Sequence, residues 1–449
     1  MTHGLIRQFV LAVLLLLARA GEARAQDPAQ GQLDSLIARA LDVHPRIRAA
    51  GQRVEAARTR IDPAGALPDP MLMAGIENLP LRWERASESG PDPMTMRTIG
   101  VGQTIPFPGK LPLQRRAAEH EHSAAEAMLV AAQRAVERDV EQAYYEIVYF
   151  DHALDIVQRN QEVLVKVIEV TASRYAVGSG GQPDVLRAHV DASRLANDAV
   201  ELSEQRRASL ANLNALLDRP TDAPLDAAAI PERIARAAVP MDTREIRFTS
   251  AALGARAGDS PLPALSDLQQ EAVRGNPDIV AHEAEIRAQA ARVERARNEH
   301  LPDFDVWIGY GQRSSRPDMI SATVSVPIPW QKGHKQAALA TSARAELSAL
   351  EADHHDRTNT LRARVAELYA EIERARAQLA LYVKAIVPQG RAALTSAMAS
   401  YQVGRADLPA LLESHATLLS YEIAYWRVLS DFAARLAELE AMVGKEILP

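Results

Sequence analysis

The sequence predicts a mainly α-helical protein with a small β part, laid out as two copies of one pattern. Three observations predict it. Of 449 residues, 47% are hydrophobic but only 4% are aromatic, a balance found in long helices. After Pro112 no further Pro or Gly occurs until Gly178, room for a helix of roughly 100 Å at 1.5 Å per residue. Six short motifs also recur in one order. His44-Pro45-Arg46-Ile47 returns as Asn276-Pro277-Asp278-Ile279, and Leu67-Pro68-Asp69 as Leu301-Pro302-Asp303. Ile105-Pro106-Phe107-Pro108 returns as Val326-Pro327-Ile328-Pro329, and Val140 to Ile147 as Val365 to Ile372. Tyr175-Ala176-Val177-Gly178 returns as Tyr401-Gln402-Val403-Gly404, and Pro183, Leu186 and His189 as Pro409, Leu412 and His415. The offsets stay between 221 and 234 residues, which is the mark of an internal repeat.

The chain opens with Arg7, an apolar run from Phe9 to Ala18 and the Ala23-Arg24-Ala25 site. These are the parts of a secretory signal peptide, assigned to residues 1–25. Gln26 starts the exported chain, and no cysteine follows that could take a lipid. Repeat 1 covers residues 26–217 and repeat 2 residues 266–449; a Pro- and Ala-rich connector, 218–265, joins them. Each repeat reads helix, strand, strand, very long helix, turn, long helix. Pro suits the first helical position and Gly the position just past the end.

In repeat 1 the long helix carries a seam stepping by 4 and 3: Val136, Val140, Ala143, Ile147, Phe150, Leu154, Val157, Gln161, Leu164, Ile168, Thr171, Tyr175. That period is the signature of a left-handed coiled coil. Its partner spans Pro183 to about Leu217. In repeat 2 the counterparts are about His334–Val403, with a kink at Pro388, and Pro409–Val443. The last helix has the seam Leu411, His415, Leu418, Glu422, Tyr425, Leu429, Phe432, Leu436, Leu439, Val443.

The strands alternate. Leu72, Ala74 and Ile76 form one apolar set, and Ile99, Val101 and Ile105 a second. Phe304, Val306, Ile308 and Tyr310 alternate with Asp305, Trp307 and Gly309; Ile320, Ala322, Val324 and Val326 alternate with Ser321, Thr323 and Ser325. Period two with one apolar face suits a transmembrane barrel strand and equally a half-buried sheet. No later run of 18 apolar residues offers a membrane helix. Four strands cannot close a barrel, which needs about eight. If these strands cross a bilayer, several chains share one barrel: two would give 8 strands and three would give 12.

Composition narrows the function. A formal net charge of −7 gives no basic footprint for nucleic acid. The absence of cysteine rules out disulfides, thiolate nucleophiles and cysteine metal sites. No Gly-rich phosphate loop, nucleophile elbow or acid pair is present. His120-Glu121-His122 and His354-His355 are spaced i,i+2 and i,i+1, so their rings diverge on a helix; they read as solvated histidines. His189 and His415 occupy equivalent repeat positions and read as satisfied packing residues.

The order of elements, the duplication and the Tyr-x-Val-Gly turns resemble the TolC family of outer-membrane efflux channels, over essentially the whole exported chain. Pro93-Met94, Thr98-Ile99-Gly100, Pro106-Phe107-Pro108-Gly109-Lys110-Leu111, Pro388-Gln389 and Leu411-Leu412-Glu413 resemble its cation-efflux, CusC/CzcC-like branch. The resemblance implies a homotrimer with a 12-stranded β-barrel in outer-membrane lipid, mounted on a periplasmic α-helical barrel. It implies a passive duct, with no catalytic residue, cofactor or metal site, that works with a periplasmic adaptor and an inner-membrane RND-type pump. Residue by residue, Val177-Gly178 and Val403-Gly404 match the adaptor-contacting helix tips. Asp184 and Tyr401 match a gate pair, and Glu413 one of two acidic rings at the constriction. Ala410 stands where the second acidic residue belongs, and Pro183 where a hydrogen-bonding residue belongs. The other reading is a soluble periplasmic coiled-coil scaffold or adaptor. An adaptor, however, flanks one hairpin with a lipoyl-like β domain, whereas this chain has two hairpins.

Overall fold

In the computed structural model, residues 27–79, 94–225, 228–238, 262–313, 316–328, 330 and 332–448 are described. The signal peptide assigned to residues 1–25 and much of the connector lie outside the described residues. The elements are α1 (Pro28–Val43), α2 (Pro45–Thr59), α3 (Ile61–Gly65), β1 (Met71–Glu77), β2 (Met96–Ile105), α4 (Lys110–Ala176) and α5 (Gln182–Leu216). Then follow α6 (Glu232–Ala238), α7 (Leu265–Gly275), α8 (Pro277–Arg297), β3 (Phe304–Arg313), β4 (Met319–Ser325), α9 (Ala337–Leu381), α10 (Val387–Gln402) and α11 (Leu408–Val443). The repeated His-Pro and Asn-Pro motifs start helices. Asn276 caps α8 by accepting from the amides of Asp278 and Ile279 at 3.0 and 3.3 Å, with Pro277 in the first turn.

The chain forms two compact units, and each takes part of both repeats. The first holds Met1–Ile47, Gln133–Val273 and Leu361–Pro449. Its core joins α4 to α11: Val136, Val140, Ile147, Leu429, Phe432, Leu436 and Leu439 are all buried. The α11 seam follows the predicted 4–3 step; Glu422, its one acidic member, is paired with Arg391 at 2.7 Å. Beyond Val157 the α4 seam holds only at Leu164 and Thr171; Asn160 and Val167 are buried in place of Gln161 and Ile168, while Tyr175 is exposed. Upstream the buried face is wider and takes in both Tyr144 and Tyr145, because the connector packs there. The Tyr144 hydroxyl donates to the Ala229 carbonyl and accepts from the Ala229 amide, at 3.0 and 3.1 Å. The single helix expected over His334–Val403 is also interrupted. A wide π-type turn over Tyr382–Ile386 ends just before Pro388. Proline there cannot supply the amide a regular turn needs.

The second unit holds Arg48–Ala132 and Arg274–Thr360. Its four strands form one antiparallel sheet in the order β1-β2-β3-β4, so the two repeats meet at the β2–β3 ladder. Ile99 lies opposite both Ala74 and Tyr310, Val101 opposite Leu72 and Ile308, and Ala322 opposite Ile308. This register places every apolar set read from the sequence on the same face. Thr98, Gly100, Asp305, Gly309, Ser321 and Thr323 share the other. Trp307 is the large residue of that polar face, and its indole lies across glycines. A Cβ on Gly309 would come within 2.1 Å of the ring, and one on Gly100 within 2.7 Å. At the helix end of the sheet, the repeated Leu-Pro-Asp motif has a function. Asp303 accepts from Lys110 Nζ at 2.9 Å and from the Phe107 amide at 2.8 Å, tying the start of α4 to the strand foot.

Candidate functional site

Two places stand out as candidate sites: the sheet, with its mainly apolar face, interrupted by Gln103 and bordered by Arg97 and Gln312, and the turns that link the long helices. No described helix is long and apolar enough to cross a membrane. The apolar face of the sheet is nevertheless open: Leu72, Ile76, Ile99, Val101, Ile308, Ile320 and Val324 are all exposed. So large a contiguous apolar patch needs a covering phase.

The helix turns repeat each other in atomic detail. Gly178 and Gly404 have φ of +73° and +72°, the left-handed region where glycine has no Cβ to clash. The Gly178 amide donates to the Tyr175 carbonyl at 3.0 Å and Ser179 to Arg174 at 2.8 Å. At the second turn Gly404 donates to Tyr401 at 3.1 Å and Arg405 to Ser400 at 2.8 Å. Each is a Schellman closure of a helix end, and this pairing is what the Tyr-x-Val-Gly motif encodes. Val177 and Val403 project from these turns at 75% and 68% exposure.

The two tyrosines then diverge. Tyr175 is exposed, but Tyr401 is buried among Leu164, Val167, Leu408 and Leu411. Its hydroxyl lies 3.1 Å from Thr171 Oγ1, which in turn donates to the Val167 carbonyl at 2.7 Å. The Arg174 guanidinium stacks over the Tyr401 ring, 4.7 Å from its centre, and donates to the Tyr401 carbonyl. It also reaches the Ser179 carbonyl at 3.2 Å. One arginine thus clasps both turns.

The expected Asp184–Tyr401 pair is not made within the protomer. The Tyr401 hydroxyl is taken by Thr171. Asp184 sits half-buried in the first turn of α5, behind Gly181 and Pro183, where the helix dipole favours a carboxylate. Glu413 is exposed and lines a groove of about 620 Å³ between α5 and α11, with Arg187, Asp191, Arg194, Asp198 and His415.

The sequence profile of the outer membrane efflux protein family matches the chain twice, over residues 36–219 and 268–445. The chain belongs to the outer membrane efflux protein family. Solved channels share the fold of this efflux protein along nearly its whole length. The outer-membrane channel OprN matches at TM-score 0.74 and 18% identity, covering 95% of this chain and 94% of that one. VceC of Vibrio cholerae matches at TM-score 0.72 and 22% identity, covering 93% and 97%. CusC matches at 0.74 and 17%, covering 92% of each. No curated protein sequence matches the chain.

Several features of the efflux protein departed from the sequence reading. His354 is not simply solvated: its ring stacks on His282 at 5.7 Å, and the Nδ1 atoms of both are buried without a partner. His415 is buried, but its Nε2 has no partner, and burial lowers its pKa; His189, its repeat mate, is exposed. Thr171 and Arg174 were not singled out as tip residues. The available signal was a threonine near the end of the seam, three residues before an arginine at a helix end.

Proposed function

We propose that this efflux protein is the outer-membrane duct of a three-part assembly, formed by three copies of the chain. The four-stranded sheet carries this reading. One face is mainly apolar, with Gln103 within it and Arg97 and Gln312 at its border, the other carries Thr98, Asp305, Ser321 and Thr323, and among the described residues β1 and β4 each pair on one side only. In lipid an unpaired edge is costly, because no water satisfies its amides and carbonyls. Three copies supply 12 strands, which close on themselves. The long helices then extend into the periplasm as a tube. Their Val177-Gly178 and Val403-Gly404 turns meet a periplasmic adaptor, which connects the duct to an inner-membrane RND-type pump. Such a passive duct needs no cofactor. Glu413 of each copy places a carboxylate at the narrow end, favouring passage of metal cations over anions.

The tip opens when the Arg174–Tyr401 clasp lets go. A hydrogen bond with a charged partner contributes roughly 1–3 kcal/mol and the cation–π contact about 0.5–2 kcal/mol. Repeated over three copies, this biases opening strongly. Asp184 remains a second gate residue, free of any side-chain bond in the protomer and available to a neighbouring copy. In planar bilayers the purified protein is expected to conduct, and Arg174→Ala with Thr171→Val should raise its conductance several-fold. Glu413→Gln should reduce its cation preference. A double variant that melts earlier but conducts as the natural protein does would make the clasp purely structural. No conductance in either form would remove the duct reading.

A further inference from the structure

We infer that Arg97 and Gln312 form a docking point for the phosphate group of an outer-leaflet lipid, at the rim of the sheet's apolar face. The inference rests on the proposal above that this face meets the membrane.

The ladder places both residues. Arg97 on β2 lies opposite Gln312 on β3 and opposite Ile76 on β1. Residues directly opposite in an antiparallel pair stand on the same side of the sheet, with Cβ atoms about 5 Å apart. Alternation puts Arg97 and Gln312 on the side of Ile99, Val101, Ile308 and Tyr310. Among the described strand residues, Arg97 is the one charged residue of that face. A lone cation on a lipid-facing surface is disfavoured, so its presence calls for a counter-group. Arg97 and Gln312 are both exposed, and neither side chain has a hydrogen-bond or ion-pair partner among the described residues.

The carboxylates at this end of the sheet do not answer the guanidinium. Glu77 lies opposite Met96, on the polar face. Asp318, just before β4, accepts from the Tyr310 hydroxyl and from the Arg313 amide at 3.1 Å.

Height along the strands identifies the partner. Gln312 is eight residues from Phe304 at the strand foot, where the Phe107 and Phe304 rings stack at 6.4 Å. At about 3.3 Å per residue and a tilt of about 40°, that is roughly 20 Å of height. A transmembrane barrel has an apolar band about 25 Å tall between aromatic girdles. The Phe107–Phe304 pair therefore marks the inner border, and Arg97 and Gln312 fall at the outer one, next to Tyr310. Lipid headgroups present their phosphates at that level, and basic residues beside a membrane bind them. Hydration alone would satisfy Arg97 at a rim. The unpaired Gln312 amide adds a second donor, and a guanidinium fork with an amide beside it suits the several oxygens of a phosphate.

The test reconstitutes the full-length protein in vesicles of phosphatidylcholine, whose phosphate is already paired with choline. The midpoint of its heat-resistant gel migration is followed as lipid A, a phosphorylated glycolipid, is added. The midpoint should rise with lipid A and stay level with dephosphorylated lipid A. Arg97→Gln should need about tenfold more lipid A for the same rise, and Arg97→Lys, a point charge without the fork, an intermediate amount. Arg313→Gln, at the same height on the polar face, should respond as the natural protein does. An undiminished response in Arg97→Gln, or an equal rise with the dephosphorylated lipid, would overturn the site. An equal rise with inorganic phosphate alone would assign the patch to a free anion and overturn the lipid docking. Flotation of the natural protein with phosphatidylcholine vesicles reads insertion without any added phosphate ligand. Failure to float would overturn the duct reading and this site together, whereas the other failures overturn the site alone.

Discussion

Arginine at Ile308 is expected to cost the folded protein about 2–4 kcal/mol, whereas arginine at Ser321 should cost less than about 1 kcal/mol. The two positions are neighbours. Ile308 lies mid-strand in β3, 58% exposed on the apolar face. Ser321 lies opposite Gly309, one residue along and on the other face. If the apolar face meets hydrocarbon, a guanidinium at Ile308 is stranded far from water. At Ser321 it hangs in an aqueous lumen. The temperature at which the assembled particle loses its heat-resistant gel migration reads the difference. Equal losses at both positions would mean that both faces meet the same medium, as in a soluble scaffold.

The second large effect is pH-dependent. Glu141 is buried in α4 and faces Glu440, Glu137, Glu446 and Arg233. Burial, and then the neighbouring carboxylates, push its pKa up to about 8; the Glu440 carboxyl is also raised, by burial above all. Arg233 binds Glu440 at 3.4 Å, and its pull on Glu141 is outweighed by burial and the neighbouring carboxylates. The folded protein therefore holds a proton that the unfolded chain releases near pH 4.5. Stability should fall as pH rises from about 4.5 to about 8 and then level off, by roughly 3–5 kcal/mol from this group. Glu141→Gln carries no charge to bury. It should match the natural protein near pH 4 and be clearly more stable at pH 9, as read by thermal unfolding followed by circular dichroism. The same difference at both pH values would show that Glu141 is ionised throughout.

The parts of this fold legible in the sequence are those written in local periods. The 4–3 seam of α11 holds from Leu411 to Val443, and alternation put the four apolar sets it picked out on one face of the sheet, though it did not foresee Gln103 among them. The duplicated Tyr-x-Val-Gly motif marked both helix ends. What escaped was set by contacts between distant segments. The sequence gives no sign that Thr171 will meet Tyr401, 230 residues away, or that His282 will stack on His354. The α4 seam drifts after Val157 because that helix begins to pack against other partners, and period counting along one helix carries no information about them. Glu141 looks like an ordinary helix-surface glutamate until α11 and the connector close over it. Trp307 was assigned to the correct face, but that it lies flat on Gly100 and Gly309 depends on the β2–β3 register. Asp184 shows the remaining gap: a helix-start aspartate reads equally well as a dipole partner or a gate residue, and in the protomer it takes the first role.

In the proposed duct this sheet closes only with other copies of the chain. Native mass spectrometry of the exported protein in mild detergent tests it most directly. A particle of three chains that keeps its mass on dilution is expected. A monodisperse monomer or dimer that still shows full β content by circular dichroism would contradict it.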